Sequence, residues 1–177
     1  MTSRRTPVAL VGPSGAGKTS VIASLIGHYS RRGDSVSVIK HSHHELSHAP
    51  RGDTEVFLDA GATEAILASG RRAVAFRRAP VRFSFLWDFE EIFLLPAMTV
   101  SSIVLIEGFK SVQLWPRLFV SREGIRAPAL TDEAAAGEAA SAELGVGRGA
   151  KNPSGDATFL PGQIAELAAF IDRITAR

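Results

Sequence analysis

The sequence predicts an α/β domain with a mostly parallel sheet flanked by helices. Three observations predict it. Over residues 8–29 an apolar run, a glycine-rich turn and a helical apolar period follow one another. A β-branched run comes a few residues later, which completes a strand–helix–strand unit with parallel strands. A further β-branched run, Ile103 to Ile106, ends in an acid. Strands alternating with helices imply helices packed on a mostly parallel sheet.

Each element has its own reason. Val8 to Val11 is apolar and bounded by Pro7 and Gly12, so it reads as a buried strand. Gly17 to Tyr29 places Val21, Ile22, Leu25 and Ile26 at helical spacing, and Arg31-Arg32-Gly33 ends that helix with basic residues and a glycine. Ser35 to Ile39 alternates and is a second strand. Thr54 to Ala60 predicts a short helix before Gly61. Ala65 to Ala68 and Ala73 to Phe76 predict two more strands. Phe83 to Leu95 mixes aromatics and acids and predicts an amphipathic helix. Ile103 to Ile106 and Arg117 to Ser121 are strands. Gln163 to Ala176, opened by Pro161-Gly162, is a final helix. Residues 1–177 are expected to form one domain. Ala134 to Gly155 is rich in alanine, glycine and acid, and is expected to be a flexible surface segment.

Composition narrows the function classes. Twenty basic residues against 18 acidic ones leave a net charge of only +2, and the arginines are scattered in pairs, which argues against a nucleic-acid groove. The absence of cysteine excludes disulfides and thiolate chemistry. The longest uncharged run, Ile92 to Ile106, contains Pro96 and is shorter than the roughly 20 apolar residues of a spanning helix. The start of the chain has no apolar segment of signal-peptide type. The expectation is a cytoplasmic protein without membrane contact.

The chemistry is concentrated in Gly12-Pro13-Ser14-Gly15-Ala16-Gly17-Lys18-Thr19, followed by Ser20. This matches the phosphate-loop pattern G-x-x-x-x-G-K-[ST], with a strand before it and a helix after it. Glycines let backbone N–H groups turn inward on a phosphate, and the helix N-terminus adds its dipole. Lys18 is positioned for the β- and γ-phosphates, and the Thr19 hydroxyl for Mg²⁺. Glu107 emerges from its strand at the carboxyl edge, where it would hold the metal or orient a water. The fold expectation sharpens to a three-layer domain of the P-loop NTPase type.

Further motifs accompany the loop. They are Lys40-His41-Ser42-His43-His44, Gly52-Asp53-Thr54, Ala60-Gly61-Ala62, Glu107-Gly108-Phe109-Lys110 and Arg122. Their order and spacing resemble the molybdopterin-guanine dinucleotide biosynthesis protein B family. The resemblance implies a homodimeric, cytoplasmic GTP-binding protein with weak GTPase activity. It further implies Mg²⁺, and an accessory role beside the guanylyltransferase that joins GMP to molybdopterin, with molybdopterin itself a possible ligand.

On this reading Lys18 and Glu107 are the catalytic candidates. Thr19, Asp53 and Glu107 are the metal candidates. Gly12 to Ser20, with Lys40, His41, His43 and His44, would surround the nucleotide or a second anion. The histidine segment also admits zinc binding or a dimer contact. Two rival functions stay open. One is an ATP-dependent small-molecule phosphotransferase with Arg71, Arg72, Arg77 and Arg78 as a lid. The other is a nucleotide-dependent binding module without useful hydrolysis.

Overall fold

The computed structural model describes residues 7–42, 52–69, 72–77, 85–86, 101–109, 116–127 and 157–175. The elements, in chain order, are β1 (Val8–Val11), α1 (Lys18–Arg31), β2 (Val36–His41), α2 (Asp53–Asp59), β3 (Glu64–Ser69), β4 (Arg72–Arg77), β5 (Phe85–Leu86), β6 (Ile103–Glu107), β7 (Arg117–Ser121), β8 (Gly124–Ala127), β9 (Ala157–Phe159) and α3 (Ile164–Thr175). The strands form one mixed sheet in the order β5-β4-β3-β2-β6-β1-β7-β8-β9.

The middle of the sheet is parallel, as the strand–helix alternation predicts: β3, β2, β6, β1 and β7 run the same way. Both flanks are antiparallel, with β4 and β5 on one side and β8 and β9 on the other. The two-residue links from β3 to β4 and from β7 to β8 start each flank, because a tight turn can only reverse the chain, whereas a parallel return needs a crossover. Phe85–Leu86 pairs with Ala73 and Val74 as strand rather than helix. Two apolar residues carry too little periodicity to separate a strand from a helix, and the pairing with β4 decides. The rest of the helix expected over Phe83 to Leu95, and the segment Ala134 to Gly155, lie outside the described residues. The strands β8 and β9 were not expected.

Period-two alternation divides the central strands between two apolar clusters. Val8, Leu10, Val36, Val38, Ile103, Leu105, Leu118 and Val120 face the described helices, meeting Ile22, Leu25 and Ile26 of α1, Phe57 of α2 and Leu167 and Ile171 of α3. Ala9, Ile39, Ile66, Val104 and Ile106 face the other way, with Phe109. The helices are tied to one another by specific bonds. The buried Tyr29 hydroxyl of α1 donates to the Ala168 carbonyl of α3 at 3.1 Å. Arg32 meets Asp172 at 2.7 Å, and that bond raises the guanidinium pKa above its ordinary value despite a small desolvation. The pair is largely exposed and stabilises little.

At the far edge of the sheet, Glu64 is fully buried and accepts a hydrogen bond from Arg77 Nε at 2.7 Å. The two residues are register partners between β3 and β4. A buried carboxylate without its cation is strongly unfavourable, so this pair holds the antiparallel register. Among the described residues no helix is long and apolar enough to cross a membrane.

Candidate functional site

The loop Gly12–Gly17 leaves β1 at the carboxyl edge of the parallel strands and enters α1. Gly12 is buried against β7, where a Cβ would overlap the Val120 carbonyl oxygen, and its φ is 150°. Only glycine lets β1 turn away at that contact. Gly17 is the N-cap of α1, with φ 86° and no side-chain cap, and the first turn carries no acid. The positive end of the helix is therefore not neutralised from within, which suits an anion. Lys18 curls back over the loop, and its ammonium donates to the Gly12 carbonyl at 3.2 Å and to the Pro13 carbonyl at 2.6 Å. Ser14 and Gly15 are exposed at the tip.

Opposite the loop, β2 and β6 end side by side. Lys40 and Glu107 are register partners. Alternation places both on the helix-facing side, continuing the rows Val36–Val38 and Ile103–Leu105. Glu107 is almost completely buried, with 3% of its side chain exposed, and the Lys40 ammonium lies 2.5 Å from its Oε1. The same ammonium lies 2.7 Å from Oδ2 of Asp53. Asp53 is the first residue of α2 and is half exposed, at the positive end of that short helix. The Thr19 hydroxyl lies 3.3 and 3.4 Å from the two Glu107 oxygens. That is long for an O–H···O bond, so Thr19 faces Glu107 without a tight bond. Burial opposes the charge on Lys40, but its bonds to Asp53 and Glu107 outweigh burial and raise its pKa above 10.5.

The expected residues thus gather in part. Lys18 and Thr19, Lys40, Asp53 and Glu107 converge at one strand edge from four places in the chain. His41 does not join them: it takes the opposite side of β2, its ring 4.6 Å from that of Phe109. Gly108, between Glu107 and Phe109, has φ 96°, and a Cβ there would stand 2.9 Å from the His41 Cβ. Phe109 itself has φ 51°, a rare state for a bulky residue, and is buried. The end of β6 is therefore shaped against the end of β2. His43, His44 and His48 lie outside the described residues, as do Lys110, Arg71 and Arg78. Arg77, one of the expected lid residues, sits at the opposite edge of the sheet with Glu64. Arg122 is exposed in the turn between β7 and β8.

The donor set is a hydroxyl and two carboxylates, all hard oxygen ligands of the kind Mg²⁺ takes. Among the described residues no group of three or more His, Cys, Asp or Glu could hold a metal by itself. Lys40's double pairing was missed by sequence reasoning. Alternation along Val36–Val38–Lys40 separates Lys40 from His41, but no local signal points from Lys40 to Asp53.

A glycine-rich turn between a buried strand and a helix, faced by a strand-end acid, defines an α/β protein of the P-loop type. Comparison with known sequences gives the family. The profile of the family described as "Molybdopterin guanine dinucleotide synthesis protein B" matches residues 8–140, and the chain belongs to that family. A relative named "Molybdopterin-guanine dinucleotide biosynthesis adapter protein" from Haemophilus influenzae is 31% identical over 122 residues, covering 68% of this chain and 66% of the relative. A relative of the same name from Escherichia coli is 32% identical over 123 residues, covering 66% of each chain. The matched region thus spans just under two thirds of these relatives. Among solved structures, MobB from Bacillus subtilis is similar at a TM-score of 0.42 and 24% identity, covering 67% of this chain and 69% of that one. A MobB homolog from Bacillus stearothermophilus is similar at 0.37 and 21%, covering 64% and 62%. These scores are too low to match the sites residue by residue.

Proposed function

We propose that this chain binds GTP with Mg²⁺ at Gly12–Ser20, hydrolyses it slowly, and serves as an accessory factor in molybdopterin guanine dinucleotide biosynthesis. The observation that carries the reading is the meeting of Thr19 and Glu107 across the mouth of the loop. A loop hydroxyl facing a strand-end carboxylate, beside an uncapped helix N-terminus, is the arrangement that Mg²⁺-nucleotide binding needs. Lys18 would leave the Gly12 and Pro13 carbonyls for the phosphate oxygens. Thr19, Glu107 and Asp53 would hold Mg²⁺, which supplies charge neutralisation on the phosphates. The buried Glu107 carboxylate would also orient the attacking water.

The adapter role follows from family membership and from the name its relatives carry. The preference for guanine, a homodimeric state, and partnership with a guanylyltransferase or with molybdopterin rest on the family reading. His41, which packs on Phe109, takes no part in this reading. The ATP-dependent phosphotransferase gains no support from Arg77, which Glu64 engages at the far edge. Calorimetric titration with GTP and with ATP, each with Mg²⁺, followed by single-turnover hydrolysis, tests the proposal. Tight GTP binding with slow phosphate release supports it. ATP preference would return the phosphotransferase, and binding without turnover would leave a nucleotide-dependent module.

A further inference from the structure

We infer that Lys40 is a resident cation for the Asp53–Glu107 pair, and that it exchanges places with Mg²⁺ when metal-bound nucleotide enters. The inference rests on the nucleotide reading above and adds to it a role for a positioning residue. Asp53 begins α2 and Glu107 ends β6, so nothing local ties them together. One ammonium touches both, at 2.7 and 2.5 Å. It stands where a cation bridging these carboxylates would stand, and the Thr19 hydroxyl faces the same Glu107 oxygens.

The charge balance explains why a lysine belongs there. Without a cation, two carboxylates beside the phosphate loop repel one another and repel an incoming triphosphate. The ammonium removes both repulsions before any metal arrives. A Mg²⁺ ion bridging the two carboxylates would come close to the ammonium that now contacts Asp53 Oδ2 and Glu107 Oε1, and like charges at that separation repel strongly. Lys40 must therefore move when the metal binds. A flexible four-carbon stem carrying a compact charge can swing aside into water, where the ammonium is rehydrated and adds little to the metal-bound complex. Lys40 and Mg²⁺ are thus alternative neutralisers of one pair. Loss of Lys40 should be felt chiefly when the metal is absent.

The test is calorimetric titration of the full chain with GTP, in EDTA and in excess Mg²⁺ at matched ionic strength. The chains compared are wild type, Lys40→Met, Lys40→Gln and Lys40→Arg. The inference predicts that Lys40→Met weakens GTP binding at least tenfold in EDTA and less than threefold in Mg²⁺. Lys40→Gln should do the same if Lys40→Met is too unstable to titrate, and Lys40→Arg should keep most of the EDTA affinity. Adding Glu107→Gln to Lys40→Met should restore part of the EDTA affinity, a result that damaged folding would not give. Equal losses in both buffers, or no loss in EDTA, would overturn the exchange while leaving nucleotide binding intact. A wild-type chain that binds GTP in neither buffer would remove the nucleotide reading and this inference with it.

Discussion

Lys40→Met should destabilise the fold itself, and the size of the effect follows from the site. Glu107 is 3% exposed and loses its ion-pair partner, keeping only the long contacts to Thr19. Breaking a buried ion pair from one side costs about 3–5 kcal/mol. Lys40 retains 20% exposure and Asp53 39%, so water screens part of that charge. The discounted expectation is about 2–4 kcal/mol. A domain of this size shifts its Tm by about 2–4 °C per kcal/mol, so a drop of roughly 5–15 °C is expected at neutral pH. The pH dependence has a definite sign. The Lys40 pKa is raised above 10.5 in the fold, so its contribution is fully present below that value and disappears as pH rises through the folded value. The gap between wild type and Lys40→Met should be constant from about pH 7 to 9.5 and shrink only in stronger alkali. Differential scanning calorimetry across pH reads both. A neutral-pH shift below about 2 °C would refute the argument that Lys40 compensates a buried charge.

Other perturbations separate the scaffold from the site. Arg77→Met leaves the fully buried Glu64 without its cation and should cost about 3–5 kcal/mol in denaturant unfolding. It should leave GTP affinity per folded molecule unchanged, because the pair lies at the opposite sheet edge. Gly12→Ala forces a Cβ into the Val120 carbonyl and should displace the loop, lowering both Tm and GTP affinity. Tyr29→Phe removes the buried bond from α1 to Ala168 and should cost about 1 kcal/mol by urea titration, with binding unaffected.

The centre of the fold was legible because its elements carry strong local signals. Val8–Val11, Ile103–Glu107 and the helix containing Val21, Ile22, Leu25 and Ile26 declare their periods within a few residues. The flanks were legible only in part: Ala73 to Phe76 was expected and forms β4, but β5, β8 and β9 were not expected. Gly124–Ala127 and Ala157–Phe159 are strands of four and three residues, too short to show alternation. They pair across a wide gap in sequence, and tertiary context makes them strands. Phe85–Leu86 shows the converse, apolar residues whose pattern fits a helix and whose partner strand decides otherwise. At the site, Lys18 and Thr19 were legible as a contiguous motif and Glu107 as an acid ending a buried strand. The bridge from Lys40 to Asp53 was not, because it depends on α2 starting beside the end of β2. His41 was expected near the anion with its histidine neighbours. Strand alternation instead turns it towards Phe109.

The most direct measurement is calorimetric titration of Mg²⁺-GTP into wild type and Lys18→Ala side by side. In the structure the Lys18 ammonium donates to the loop carbonyls of Gly12 and Pro13, contacts at the surface of the loop, so the variant should keep its Tm within a few degrees. The account predicts saturable binding at one site per chain in wild type and a loss of at least a hundredfold in Lys18→Ala. Equal affinity in the two proteins would contradict it, and would place any nucleotide somewhere other than this loop.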